Sequence, residues 1–450
     1  MIRYAFGLFT ILAASLLGAS AASQTSGSPL PDFVLITIDT LRADHLGSYG
    51  YPRDTSPNID RFAKGAVLFE HTVAPMPMTL PSHVSLLTSS LPVRHGVMSN
   101  FRFLEIPFVP GEEDGIQSAA QTLANAGYTT AAFTSASPLS RGTGIDVGFE
   151  TFEAPPPYGD QGESVRVDAA ATIDRAIAWL QTAPKPFFLW VHVFDPHLPY
   201  QPPPPHDRRF QTDDALLERL RESGIPEVLL RYAAQATNAY DGEIHFVDQQ
   251  LGRLFEALRA RGTWDKGVIA LTADHGEGLL EHGDPGHQFL WRGTIGVPLI
   301  LRWPAGPRGR RESQLASLID VLPTLAANTE LPLGDRFDGI DLLAPSAQTP
   351  REALVQEPVY SSAPRMRTWA LITPEWKLWH RPGLRDELFR PAEDPAERDE
   401  KSAQHEAVVR QMRARVEELV EEASARPGAR VQEQTDPALR ARLRELGYAE

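Results

Sequence analysis

Two apolar runs end in residues able to hold a metal ion. Phe33-Val34-Leu35-Ile36-Thr37-Ile38 leads into Asp39-Thr40, and Gly267-Val268-Ile269-Ala270-Leu271-Thr272 leads into Asp274-His275-Gly276-Glu277. Short apolar runs rich in β-branched side chains read as buried strands. In an open α/β sheet, positions just past the carboxyl ends of strands line the ligand crevice. Two carboxylates and an imidazole converging there make a divalent-metal site. A third segment, Thr79-Leu80-Pro81-Ser82-His83, offers a hydroxyl that a cation can activate. Each residue alone has a plainer reading: a carboxylate or threonine at a helix start is usually a cap. Two strand-end carboxylates, one followed directly by His275, shift the reading to metal chemistry. The reaction this suggests is hydrolysis of, or group transfer from, a charged ester.

The elements that must position these residues alternate between strand and helix patterns. Ser56-Pro57 opens a helix that runs to about Lys64, with Ser56 as cap and Gly65 as stop. Residues 82–90 form a second helix, with Thr79 just before an N-terminus that favours anions. A helix over 165–181 precedes a buried strand over 187–193, which ends in Asp195-Pro196-His197. A long helix over 228–260 carries Ile244, Val247, Leu251, Leu254 and Leu258 on one face. Val297 to Leu301 is a further strand. This alternation predicts an α/β fold with a mostly parallel sheet flanked by helices. Beyond residue 350 the character changes. A hairpin over 368–372 and 376–380 and a charged helix over 406–422 predict a small C-terminal α+β subdomain.

The chain has 450 residues, 42% of them hydrophobic, enough for a sizeable core. Its formal charge is −15 with no basic run, which excludes nucleic acid as the main partner. An anionic substrate stays open, because a bound cation reverses the local field. Arg3, an apolar run over 4–17 and Ala19-Ser20-Ala21 read as a secretory signal over 1–21. The apolar run is short of the ~20 residues a membrane span needs. The expected product is periplasmic or secreted, without a stable span after cleavage. A linker over 22–31 follows, then a catalytic domain over 32–349 and the subdomain over 350–450. There is no cysteine, hence no disulfide and no thiolate ligand.

In their order along the chain, several short motifs resemble the sulfatase-like branch of the alkaline phosphatase superfamily. They are Ile38-Asp39-Thr40-Leu41-Arg42, Ser56-Pro57-Asn58-Ile59-Asp60-Arg61, Thr79-Leu80-Pro81-Ser82-His83, His197-Leu198-Pro199-Tyr200, and Asp274-His275-Gly276-Glu277 with Glu281-His282-Gly283. Val297-Pro298-Leu299-Ile300, Asp320-Val321-Leu322-Pro323-Thr324 and the stretch from Glu387-Leu388-Phe389 to Arg398 continue the likeness. The resemblance implies Thr79 at the nucleophile position and Asp39, Asp274 and His275 at metal-ligand positions. It implies that His197 and His287 hold the substrate's oxyanion or protonate the leaving group. His83 takes the position of a substrate-binding arginine. Asp195 is either a ligand of a second metal or, more ordinarily, a cap.

The departures from that pattern redirect the chemistry. Sulfatases of this branch carry a Cys or Ser that is oxidised to formylglycine; Thr79 cannot become that aldehyde. A threonine there instead resembles the superfamily's phosphatases, phosphodiesterases and phosphoethanolamine transferases, which pass through a phospho-threonine. The ligand set Asp39, Thr79, Asp274 and His275 has one nitrogen and three oxygens. That suits one zinc or manganese ion better than calcium, which stays possible, and leaves a second metal open. The expectation is an exported metal-dependent hydrolase of phosphate, phosphonate or sulfate esters, with phosphorus esters favoured. Its substrate is a small or glycan- or lipid-linked anionic ester. The alternatives are a phosphoethanolamine-type transferase acting on an envelope glycan or lipid, and an inactive metal-bearing binding protein. Nothing in the sequence specifies the oligomeric state.

Overall fold

The computed structural model describes residues 30–100, 108–109, 116–157, 166–345, 351–358, 367–426, 428 and 430–431. The signal and most of the linker expected at the N-terminus lie outside the described residues.

The strand that ends at Asp39, β1 (Phe33–Ile38), sits in the middle of an eight-stranded sheet. The others are β2 (Val67–Val73), β3 (Thr129–Thr134), β4 (Thr151–Glu153), β5 (Phe187–Val193), β6 (Val268–Ala273), β7 (Gly296–Arg302) and β8 (Arg310–Ser317). Their order is β4-β3-β5-β1-β6-β7-β2-β8. All neighbours are parallel except β7, which runs antiparallel to both β6 and β2. Every residue of β1, β5 and β6 is buried, as a sheet covered on both faces requires. Each large apolar side chain hidden this way gains about 1.5–3 kcal/mol.

Helices α1 (Pro57–Lys64), α2 (Thr79–Thr88), α3 (Ala169–Thr182) and α4 (Leu230–Arg261) cover the sheet. Helix α1 runs over the expected residues, but its cap does not come from Ser56. The Asn58 and Ile59 N–H groups donate to the Asp248 carboxylate of α4 at 3.0 and 2.8 Å. Ser56 Oγ instead takes the Gly47 N–H. Helix α2 starts three residues earlier than expected, so Thr79 is its first residue and Met78 its cap position. Helix α3 starts at Ala169, where Asp168 accepts the Ala171 N–H at 2.7 Å.

The expected hairpin belongs to a four-stranded antiparallel sheet: β9 (Ala353–Gln356), β10 (Trp369–Ile372), β11 (Lys377–His380) and β12 (Glu387–Phe389). Helix α5 (Glu406–Ala425) packs on β10 and β11. This sheet shares an apolar cluster with the large one: Val73, Leu290, Ile295 and Leu315 meet Val355, Ala370, Ile372 and Trp379.

Candidate metal centre and its surroundings

The parallel register fixes the site. Asp39 follows Ile38, which lies opposite Val193 on one side and Ala273 on the other. The next residue of β6's chain is Asp274, and the Asp39 N–H donates to the Val193 carbonyl at 2.9 Å. Thr40 turns the chain away at φ 54°, a left-handed value that strains a β-branched residue. Two bonds hold it there: its N–H donates to Asp274 Oδ1 at 3.2 Å, and the Tyr240 hydroxyl donates to its carbonyl at 2.7 Å. Gly276 must be glycine, since a Cβ there would overlap the Gly293 carbonyl oxygen.

One ligand atom each from Asp39, Asp274 and His275 lies within 4.8 Å of the others, all fully buried. His275 Nε2 is 3.5 Å from Asp274 Oδ2 and 3.8 Å from Asp39 Oδ1. Asp274 Oδ1 is taken by the N–H groups of Thr40 and His275. Asp274 Oδ2, both Asp39 oxygens and His275 Nε2 are buried without any hydrogen bond. Burial, then repulsion from Asp274 and Glu277, pushes the Asp39 carboxyl well above the carboxylate range. Burial likewise raises Asp274. Buried polar atoms are normally paired, and two adjacent carboxylates in an apolar interior are both ionised only with a positive charge between them. The donor set fits a divalent cation on that ground.

Helix α2 is pinned against this cluster. Ser82 Oγ donates to the Asp274 carbonyl at 2.6 Å. His83 Nδ1 bonds the Thr79 carbonyl at 2.8 Å and lies 3.7 Å from Asp274 Oδ2, while its Nε2 contacts Thr37 Oγ1 at 3.0 Å. His83 is fully buried, and the protein engages both ring nitrogens. The resemblance placed His83 at a substrate contact; in the fold neither nitrogen is left for one, and the ring braces the turn that carries Thr79. Thr79 itself is 2% exposed at the helix start.

His197 and His287 come together although 90 positions apart, with ring centroids at 5.5 Å. His287 lies over His275 at 4.2 Å. Both are half-buried, at the rim of the cluster. Each gives its Nδ1 to a main-chain carbonyl: His197 to Leu198 at 2.6 Å, His287 to Pro77 at 2.9 Å. A carbonyl only accepts, so Nδ1 carries the hydrogen and Nε2 is the open nitrogen. Burial and the facing ring push His197 down to about 3; burial and His275 do the same to His287. Asp195 Oδ2 accepts the Ala169 N–H at 2.8 Å, a capping contact.

Sequence reading gave two groups no role: His192, and Glu277 of the Asp274-His275-Gly276-Glu277 motif. His192 Nε2 lies 3.5 Å from Asp39 Oδ2, buried and without a hydrogen bond. Its signal is a lone imidazole inside an apolar strand, opposite Thr37 in the register. Glu277 is fully buried with both oxygens unbonded, and burial pushes it up to about 8.

The Sulfatase family model matches residues 31–330. The chain belongs to the Sulfatase family. This sulfatase-family enzyme is an ester hydrolase by fold and kinship. It is 27% identical over 389 residues to human arylsulfatase A, covering 77% of this chain and 74% of that one. It is 25% identical over 355 residues to the ulvan-active sulfatase of Formosa agariphila, covering 72% and 67%. Among solved structures, the phosphonate monoester hydrolase of Agrobacterium radiobacter matches with a TM-score of 0.71 at 21% identity, over 87% of this chain and 96% of that one. A protein solved with its substrate D-glucosamine-2-N,6-O-disulfate matches at 0.73 and 19% identity, over 88% and 99%. These two likenesses show a shared fold. No helix of the described residues is long and apolar enough to cross a membrane.

Proposed function

We propose that this enzyme is an exported, metal-dependent hydrolase in which Thr79 attacks an anionic ester. The observation that carries the reading is the buried, unbonded set of Asp39, Asp274 and His275 beside the braced first turn of α2. The imidazole in that set favours zinc or manganese over calcium. When bound, a divalent ion lowers the pKa of a nearby hydroxyl and neutralises charge on the ester. Thr79 supplies the oxygen: its Oγ forms a bond to phosphorus as the bond to the alcohol breaks. The Thr79 hydroxyl loses its proton, and the leaving oxygen takes one up. His197 and His287 carry that proton in this reading, since an approaching anion favours their protonated form. Water then attacks phosphorus, releasing phosphate and restoring the threonine hydroxyl.

Phosphorus esters are favoured because the chain has no cysteine and Thr79 cannot form the formylglycine aldehyde. The names of the curated relatives support a sulfate ester as the second reading. Transfer to an alcohol acceptor would use the same first step. Nitrophenyl phosphate, phosphate-diester, phosphonate and sulfate esters, compared on zinc- and manganese-loaded protein, separate these readings. We expect phosphorus-ester turnover to fall roughly 10³-fold or more in Thr79→Ala, with zinc binding retained. Full activity in that variant would sink the mechanism, and turnover of sulfate alone would overturn the phosphorus preference.

A further inference from the structure

Left-handed backbone angles collect in one short turn beyond the metal cluster. Leu279, Leu280 and His282 have φ of 48°, 72° and 52°, three of the six non-glycine residues with such angles among the described residues. A leucine has no polar group to ease this conformation, and such strain persists only where the surroundings enforce it. Leu279 is 3% exposed in the main core, and Leu280 packs on the cluster of Leu216, Leu220 and Leu230. His282 stacks on Trp291 with ring centroids at 3.7 Å.

The turn brings Asp284 back against the segment that carries His287. The Leu280 N–H donates to the Asp284 carbonyl at 2.8 Å, and the Asp284 N–H donates to the Glu281 carbonyl at 3.0 Å. A Cβ at Gly278 would stand 2.4 Å from the Asp284 carbonyl oxygen, so only glycine lets the two strands of the loop approach. The Asp284 side chain then brackets one histidine. Its Oδ1 accepts the Gly286 N–H and its Oδ2 the Gln288 N–H, each at 3.0 Å. Asp284 is 2% exposed, and among the described residues no cationic side chain pairs with it. A carboxylate taken out of water is costly unless it is bonded, and both its side-chain bonds go to the amides before and after His287. The His287 ring is anchored separately, through Nδ1 to the carbonyl of Pro77, two residues before Thr79.

We infer that Asp284 is a positioning residue for His287, fixing its main chain so that the open Nε2 stands over the ester held at Thr79. Pro77 sets the rotation of the ring and Asp284 sets where the ring starts from. The inference rests on the reading of His287 as a proton carrier.

The zinc-loaded full chain is assayed with nitrophenyl and phenyl phosphate, or with the matching sulfates should those be the esters turned over. A proton donor matters most to the alcohol that leaves less readily, here phenol. His287→Ala should therefore lose ~10²–10⁴-fold in kcat on the phenyl ester and far less on the nitrophenyl ester. Asp284→Asn keeps the shape but replaces one accepting oxygen by a donor, so one of the two amides loses its partner. It should lose up to ~100-fold in kcat on the phenyl ester, the cost of a misplaced group, with KM and zinc affinity within ~2-fold of wild type. The double variant should be no slower than His287→Ala, because a residue that acts only through His287 has nothing left to hold. Equal losses on the two esters in Asp284→Asn, or no loss, would overturn the inference. So would a double variant slowed by the product of the two single losses. Full activity of His287→Ala on the phenyl ester would overturn the reading of His287 itself. Should Asp284→Asn fail to fold, hydrogen exchange on the wild type decides. Slow exchange at the Gly286 and Gln288 amides supports the inference, and exchange at the rate of free amides overturns it.

Discussion

Asp274 shows how one carboxylate serves two purposes. Oδ1 receives two backbone N–H groups, which hold the side chain still, and Oδ2 is left bare toward His275 and Asp39. Replacing it by Asn keeps the held oxygen and removes the charge. Wild-type protein in zinc at about 100 times Kd should gain ~2.7 kcal/mol of stability, read as a rise in Tm that EDTA reverses. Asp274→Asn should show almost none of that rise; an equal rise would remove Asp274 from the ligand set. Glu243 makes a different prediction at the same scale. Its Oε1 accepts the Gln201 N–H at 2.6 Å, while Oε2 is buried and unbonded. Burial, then Asp195, pushes this carboxyl up to about 8. The unfolded chain ionises near the ordinary glutamate value, so unfolding releases a proton between about 4.5 and 8. Stability therefore falls as pH rises through that window, by up to ~1.4 kcal/mol per pH unit. Glu243→Gln should lack this slope: its Tm should match wild type near pH 4.5 and exceed it increasingly toward pH 8. Parallel curves would refute the assignment.

At the scale of elements, the loop that carries His287 is held by the C-terminal sheet. Lys377 of β11 is buried and donates to both Glu397 Oε1 and the Leu290 carbonyl at 2.5 Å. Glu397 Oε2 accepts the Arg292 N–H at 2.9 Å. The pair thus grips the chain three and five residues beyond His287. Lys377→Met leaves a buried carboxylate uncompensated and should cost about 3–5 kcal/mol. Lys377→Met with Glu397→Met should recover much of that stability, because both charges are gone. The double variant should still show lower kcat/KM, since the Leu290 and Arg292 contacts are lost with the pair. Denaturant melts and kinetics on the three variants check both statements. A double variant no more stable than the single would show that the pair's charge is not what matters.

For the whole molecule, the relevant fact is the apolar cluster common to the two sheets. The sequence divides the chain at residue 350; before it stands a parallel-rich sheet and after it an antiparallel one. The main core lies before that point and a second cluster after it, but a third is shared by both parts. Val355, Ala370 and Trp379 bury against Leu290, Ile295 and Leu315, so neither part can expose its face to water without losing that area. Calorimetry on the full chain should therefore give one cooperative transition, and residues 32–349 alone should be insoluble or unfolded. Two separated transitions would show the subdomains to be independent.

Much of this was legible in local pattern. Continuous apolar runs ending in carboxylates pointed to Asp39, Asp274 and His275, and helical periodicity pointed to α4, because these depend on residues near one another in the chain. The absence of cysteine and the threonine at position 79 are what the non-aldehyde reading rests on. Contacts between distant segments were not legible, because no spacing encodes a register. Asp248 caps α1 from 190 residues away, so Ser56 does not have to. His83 is braced between Thr37 and Asp274, not turned to a substrate. His192 reads as one more residue of an apolar strand until β5 pairs with β1 and sets it opposite Thr37. The sequence determined which chemical groups stand at the ends of its strands. Only the tertiary structure decided which atoms of those groups are left without a hydrogen, and so which of them can share a cation.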